Sequence, residues 1–379
     1  TPTDGAVIQS FTSLSVTFDE PVQNVAQGNL SVSGGAVVNG FTPPGGSPSA
    51  GPYVWNFTQP ADGSVTATLA SGSIRDAATN SFPGDAFSFT LDTIAPTIDT
   101  LDPPDGDNIS TLTSVEVTFE ESVTNVAQTD LLVNGSATAT LLTGTGAGPY
   151  TFTIPQPGDG TVNLELVPGA PATQDTAGNP FAGATWSYDL DSAAPQVLPG
   201  SISPASGATL TALTSVSVTF DEPVVNVAQN SLEVNGSATA TGLTGSGAGP
   251  YTWTIPQPGD GSVNLEVVPG TPAIQDAPHG NDFTGYTWAC TLDATAPDID
   301  TTTPSPAALL TALTIVEVTF DESVLNVNQD DLLVNGSATA TGFSGSGQGP
   351  YTFSIPQPAD GQVNLSLIAG TPATEDAAG

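Results

Sequence analysis

Apolar residues alternate with polar ones at a period of two along most of the chain. Between residues 115 and 190, Val115, Val117 and Phe119 alternate with Glu116 and Thr118, and Tyr150, Phe152 and Ile154 with Thr151 and Thr153. Val162, Leu164 and Leu166 then alternate with Asn163 and Glu165, and Trp186, Tyr188 and Leu190 follow in the same manner. Successive side chains of a strand point to opposite faces, so each segment reads as a half-buried β-strand rather than a helix. About seven short strands of this kind, bounded by Gly, Pro, Asp and Asn turns, predict two antiparallel sheets packed face to face.

The pattern repeats. Val-Thr-Phe-Asp/Glu-Glu begins at Val16, Val117, Val218 and Val318, a period of about 100 residues, which is the size of one small β-sandwich. Gly-Pro-Tyr ends at Tyr53, Tyr150, Tyr251 and Tyr351, and Gln-Pro-x-Asp-Gly places Asp62, Asp159, Asp260 and Asp360 in turns. Asp-x-Ala-Gly-Asn or a variant begins at Asp76, Asp175, Asp276 and Asp376, and Leu-Asp-x-x-Ala-Pro between copies carries Asp92, Asp191 and Asp293, its proline stiffening a short linker. The boundaries expected from this phase are 1–92, 93–191, 192–293 and 294–379. The first copy is expected to lack the preceding linker, and the fourth its last strand, leaving a sheet edge and an open core. Two explanations stay open: a window cut from a longer array, or a strand supplied from elsewhere.

Composition removes several possibilities. The 379 residues hold 38 Asp and Glu against one Lys or Arg and one His, a formal charge of −37, so nucleic acid and anionic membrane surfaces are poor partners and no nucleic acid is expected. Charged residues make up only 10% of the chain, which is not the composition of a disordered acidic tail. The lone Cys290 cannot form an internal disulfide, and without lysine no Lys–Asn isopeptide staple is possible. No apolar run approaches the roughly 18 residues of a membrane span, so no membrane insertion is expected in this segment. The opening at Thr1 reads as a mature or excised segment.

In combination, Val-Thr-Phe-Asp-Glu-Pro-Val, Ser-Ala-Thr-Ala-Thr-Gly-Leu-Thr-Gly-Ser-Gly, Gln-Pro-x-Asp-Gly, Asp-x-Ala-Gly-Asn and Leu-Asp-x-x-Ala-Pro resemble the bacterial immunoglobulin-like tandem repeats of large secreted adhesins and surface proteins. The resemblance covers essentially the whole chain. It implies an all-β tandem array of immunoglobulin-like antiparallel β-sandwiches forming an elongated rod, and it is less specific for function, because such repeats mostly act as extenders. The third copy departs from the pattern: Asp276-Ala277-Pro278-His279-Gly280-Asn281 is one residue longer.

In that topology, the turn after the second strand and the turn between the last two strands share the pole where the linker enters. Three trios would then converge: Asp92, Glu121 and Asp175; Asp191, Glu222 and Asp276; Asp293, Glu322 and Asp376. Glu20 and Asp76 would form an incomplete version. Each glutamate continues the parity of the core-facing residues before it, and a bare buried carboxylate is too costly to stand alone. Protein cations are absent, and groups of hard oxygen ligands suit Ca²⁺, which takes six to eight. The plainer reading is that these acids cap turns by accepting backbone amides. No EF-hand loop occurs.

The remaining candidates read as structural. Trp55 and Trp253 share a phase with Phe152 and Phe353, Trp186 and Trp288 with Phe87, and Cys290 with Phe89 and Tyr188, so all are expected in cores. His279 and Arg75 occur in single copies and are expected in solvent. With one histidine and no phosphate loop carrying lysine, no catalytic constellation is present, and the chain reads as a non-enzyme. Seven Asn-x-Ser/Thr sequons stand at Asn29, Asn56, Asn108, Asn134, Asn235, Asn335 and Asn364.

The expected function is mechanical: an extracellular, cell-surface stalk or fibre, stiffened at its junctions by calcium, with neighbouring repeats as its main partners. A ligand-binding adhesin module for glycan or protein is one alternative. A self-assembling filament subunit, completed by a strand from another chain, is the other.

Overall fold

The computed structural model describes residues 2–376. The chain divides into two compact units, Thr1–Ser192 and Ala193–Gly379. Buried apolar side chains form two separate cores in the first unit and two in the second. Each core lies between the inner faces of two sheets, as the alternation requires.

The second core of the first unit shows the plan. One sheet runs in the order Asn108–Ile109, Ala184–Leu190, Gly160–Leu166, Leu131–Val133, and the facing sheet in the order Ile98–Asp102, Ser114–Phe119, Tyr150–Thr153, Leu141–Thr143. Val162, Leu164, Leu166, Trp186, Tyr188 and Leu190 point inward from the first, and Val115, Val117, Phe119, Tyr150 and Phe152 from the second. The central pair is in register at every residue from Gly160 opposite Leu190 to Leu166 opposite Ala184. One detail departs from purely antiparallel sheets. The two-residue strands Val7–Ile8, Asn108–Ile109 and Thr209–Leu210 pair in parallel with the last long strand of their own copy.

The repeated Gly-Pro-Tyr has a steric cause. Gly148 sits at φ +110°, and a Cβ there would lie 2.9 Å from the Val117 carbonyl oxygen. Only glycine lets the two backbones approach so closely. Tyr150 then places its hydroxyl on the carbonyls of Val123 and Gly146, at 3.2 and 3.1 Å, so the buried phenol keeps a partner.

All four tryptophans are buried, Trp55 and Trp253 completely. Cys290 is buried within the core and its thiol is pushed up by burial. Arg75 is exposed. His279, expected in solvent, is half-buried.

The last core differs. Leu332–Val334 pairs with Ser337–Ala338 on one side and Leu365–Leu367 on the other, and among the described residues no strand covers the far edge of Leu365–Leu367. A cleft of about 950 Å³ opens there, lined by Val316, Val318, Leu332, Leu365, Leu367 and the exposed Leu310.

Candidate metal centres at the repeat junctions

In the first unit, Asp92 follows the strand Asp85–Leu91, and its amide donates to the Ile8 carbonyl at 3.0 Å. Glu121 lies in the turn between Ser114–Phe119 and Val123–Thr124. Asp175 ends the strand Gln174–Asp175, with Val123 as its partner across the ladder. One carboxylate oxygen from each of the three lies within 4.8 Å of the others. Asp175 is buried, while Asp92 and Glu121 are half-buried.

Asp293, Glu322 and Asp376 make the same arrangement in the second unit, again within 4.8 Å of one another. Asp293 follows Tyr286–Leu292, and its amide donates to the Leu210 carbonyl at 2.9 Å. Asp376 is buried and Glu322 half-buried.

Asp191, Glu222 and Asp276 do not fall within one unit. Asp191 is half-buried at the end of the first unit, where its amide donates to the Ile109 carbonyl at 3.1 Å. Glu222 is half-buried and Asp276 buried in the second, with Asp276 accepting from the Asn281 amide at 2.7 Å and its Nδ2 at 2.8 Å. In the first copy Glu20 is exposed, and Asp76 accepts from the Asn80 amide and Nδ2 at 2.8 and 2.6 Å. The Asn80 side chain, with further amides, draws the Asp76 carboxyl below its ordinary value.

Turn capping and clustering coexist at these positions. Asp175 accepts amide hydrogens from Gly178 at 2.7 Å and Asn179 at 2.9 Å, and the Asn179 Nδ2 at 2.8 Å. The same Nδ2 donates to the Asp92 carbonyl at 2.8 Å, tying the linker to the Asp175 turn across 87 residues. In the sequence Asn179 stands out only as the last residue of the Asp-x-Ala-Gly-Asn motif, which signals its turn role and not its reach across the junction.

The electrostatics are one-sided. Burial first, then the charges of Asp92, Asp175 and Glu120, raise the Glu121 carboxyl above its ordinary value. Burial, then Asp293, Asp376, Asp321 and Asp260, raise Glu322 in the same way. Like charges this close favour protonation or a bound cation. The donor set is oxygen only, anionic, and unanswered by lysine. It fits a hard divalent ion such as Ca²⁺ better than a soft one.

A second set of acids, expected to serve only as turn residues, anchors the linkers. Asp62 accepts from the Thr93 amide at 3.2 Å and its hydroxyl at 3.0 Å, and Asp159 from the Ser192 amide and hydroxyl at 3.0 and 2.8 Å. Asp260 takes the Ala294 amide at 2.9 Å and the Thr295 hydroxyl, and the Thr295 contact leads in lowering its pKa. Outside that set, Asp221 and Asp321 of the Val-Thr-Phe-Asp-Glu repeat accept from the amides of Gln196 and Asp298 at 2.8 and 2.9 Å. Repetition of the aspartate together with a Ser or Thr just past the linker's own aspartate is the signal that could have revealed this.

No protein-family model matches the chain, and no curated protein does. Among solved structures, Sidekick-1 immunoglobulin domains 1-5 are 10% identical, with 99% of this chain and 78% of that one covered, at a TM-score of 0.27. The Protocadherin GammaB4 extracellular domain is 9% identical over 94% of this chain and 60% of its own, at 0.30. Domains 1-6 of the surface layer protein SbsC are 12% identical over 96% of this chain and 63% of theirs, at 0.19. The chain therefore spans less than two thirds of the last two. The two-sheet topology of its own cores makes it an all-β tandem array of immunoglobulin-like sandwiches.

Proposed function

We propose that the chain is a non-catalytic, extracellular structural segment, a repetitive immunoglobulin-like stalk or fibre of a cell-surface adhesin. The observation that carries this reading is the recurrence of one junction chemistry in both units. Each has a carboxylate trio that includes the linker aspartate, and each has a further aspartate that accepts hydrogen bonds from the following residues. An extender needs such fixed hand-over points between repeats, and acid-lined junctions need a cation to be stiff.

Asp92, Glu121 and Asp175 would hold one Ca²⁺, and Asp293, Glu322 and Asp376 a second. The ion would supply positive charge that this sequence lacks. A ligand that binds only the folded state stabilises it by about 2.7 kcal/mol at a hundredfold excess over its Kd. Chelating and re-adding Ca²⁺ tests the reading: melting temperature and end-to-end length should both fall and recover. If neither moves, the metal part of the proposal is lost. Electron microscopy of native material tests the mechanical part, with isolated stalks or an ordered filament as the supporting images.

The apolar cleft beside Leu365–Leu367 favours a second reading, in which an extended segment seated in it joins chains into filaments. A strand of foreign sequence found in that cleft would support it.

A further inference from the structure

We propose that Asn134, Asn235 and Asn335 are the N-glycan acceptors of this chain, a role separate from the junction chemistry. Of the seven sequons, these three share one local structure. Asn134 and Gly135 are the central residues of a two-residue hairpin turn, at φ +50° and +77°, and Asn235–Gly236 and Asn335–Gly336 repeat it. This is the turn type for which Asn-Gly is best suited. In the first two of these turns the flanking residues bond both ways, Val133 with Ser136 and Val234 with Ser237. Asn, Gly and Ser are exposed in all three, and a Cβ built on any of the three glycines meets nothing within 4 Å.

The amide is also oriented. Oδ1 of Asn134, Asn235 and Asn335 accepts from the backbone amides of Asn163, Asn264 and Asn364, each at 2.9 Å. That bond engages the oxygen and not Nδ2, the atom that would carry the sugar. Asn29 is the opposite case, half-buried with Oδ1 on the Ala26 amide and Nδ2 on the Ser73 hydroxyl, both at 2.7 Å. At Asn56 the side-chain amide lies against Gly40, 3.3 Å from where a Cβ would stand. The first copy has Ser33-Gly34-Gly35 at this turn and no acceptor.

The donor is an oligosaccharide carried on a polyprenyl phosphate or diphosphate. Nδ2 bonds to the anomeric carbon, the carbon–oxygen bond to the lipid-linked phosphate breaks, the polyprenyl phosphate or diphosphate leaves with its charge and Nδ2 loses one proton. Nothing is oxidised or reduced. The turn follows Leu131–Val133 and Leu232–Val234, edge strands of their sheets. A hydrated glycan there blocks edge-to-edge pairing, the standing hazard of an exposed strand.

The test uses the full chain isolated from its native source. Enzymatic deglycosylation in ¹⁸O water, which converts occupied Asn to ¹⁸O-labelled Asp and so separates it from spontaneous deamidation at Asn-Gly, followed by peptide mass mapping, should mark Asn134, Asn235 and Asn335 and leave Asn29 and Asn56 unmarked. Ser136→Ala, Ser237→Ala and Ser337→Ala, made in the native host, should each remove one glycan with no loss of melting temperature, because no turn hydrogen bond uses the hydroxyl. Unmodified asparagine at all three positions, or glycan confined to the other four sequons, overturns the proposal.

Discussion

The second and fourth sandwiches carry the same acid trio over very different cores. Around residues 160–190, Val162, Leu164 and Leu166 are fully buried, because Ala184–Leu190 lies beside them and contributes Trp186, Tyr188 and Leu190. Their counterparts Val363, Leu365 and Leu367 are only half-buried beside the cleft. Yet Asp293, Glu322 and Asp376 close to the same 4.8 Å limit as Asp92, Glu121 and Asp175. The trio is built by turns and strand ends next to the linker, and it does not require the strand that seals the core. Junction chemistry and core packing are thus separable properties of one repeat.

The largest effect should come from the side chains that seal the second core. Trp186→Ala should cost about 3–5 kcal/mol and open the second core towards the state of the fourth, measured as a shift in the unfolding midpoint.

Smaller effects belong to the trios. Their glutamates have raised pKa values, so the folded state holds those protons more tightly than the unfolded one. That contribution is complete below the unfolded glutamate value of about 4.3 and is lost as pH rises through the raised value. In chelator, the melting temperature should therefore carry a stabilising contribution from these glutamates that grows as pH falls from neutral. Glu121→Gln and Glu322→Gln should remove that component, and calcium should supply the same relief at neutral pH. Equal responses from the two variants would sharpen the separation of junction from core; a response at Glu121 alone would break it.

The smallest effect is at the linker anchor. Asp159→Ala removes the acceptor of the Ser192 amide and hydroxyl and should cost about 1 kcal/mol, the net worth of a typical hydrogen bond, visible as faster exchange of the Ser192 amide.

Much of this was legible before any coordinates. Period-two alternation marked Ser114–Phe119, Tyr150–Thr153, Gly160–Leu166 and Ala184–Leu190 to within a few residues, because one face of each strand must be apolar. The burial of Trp55, Trp253 and Cys290 followed from repeat phase alone. Two of the three expected trios lie inside a single unit, and in both the carboxylates converge. What escaped were contacts in which a familiar local signal had a distant partner. Asp62-Gly63 and Asp159-Gly160 look like ordinary turns, and nothing near them in the chain points to Thr93 or Ser192. His279 likewise sits in a loop one residue longer than its counterparts, and its residue type alone does not signal that it is half-buried there.

By itself the sequence determined the strands, their inward faces, the length of the repeat and the shortage of cations, since these depend on local periodicity and on counting. Only the tertiary structure decided which aspartates cap turns and which also hold linkers. It also decided which asparagine amides stand clear of the fold, and how far the fourth core opens. Those outcomes depend on distances between residues tens of positions apart, and such distances are set when sheets pack and linkers dock.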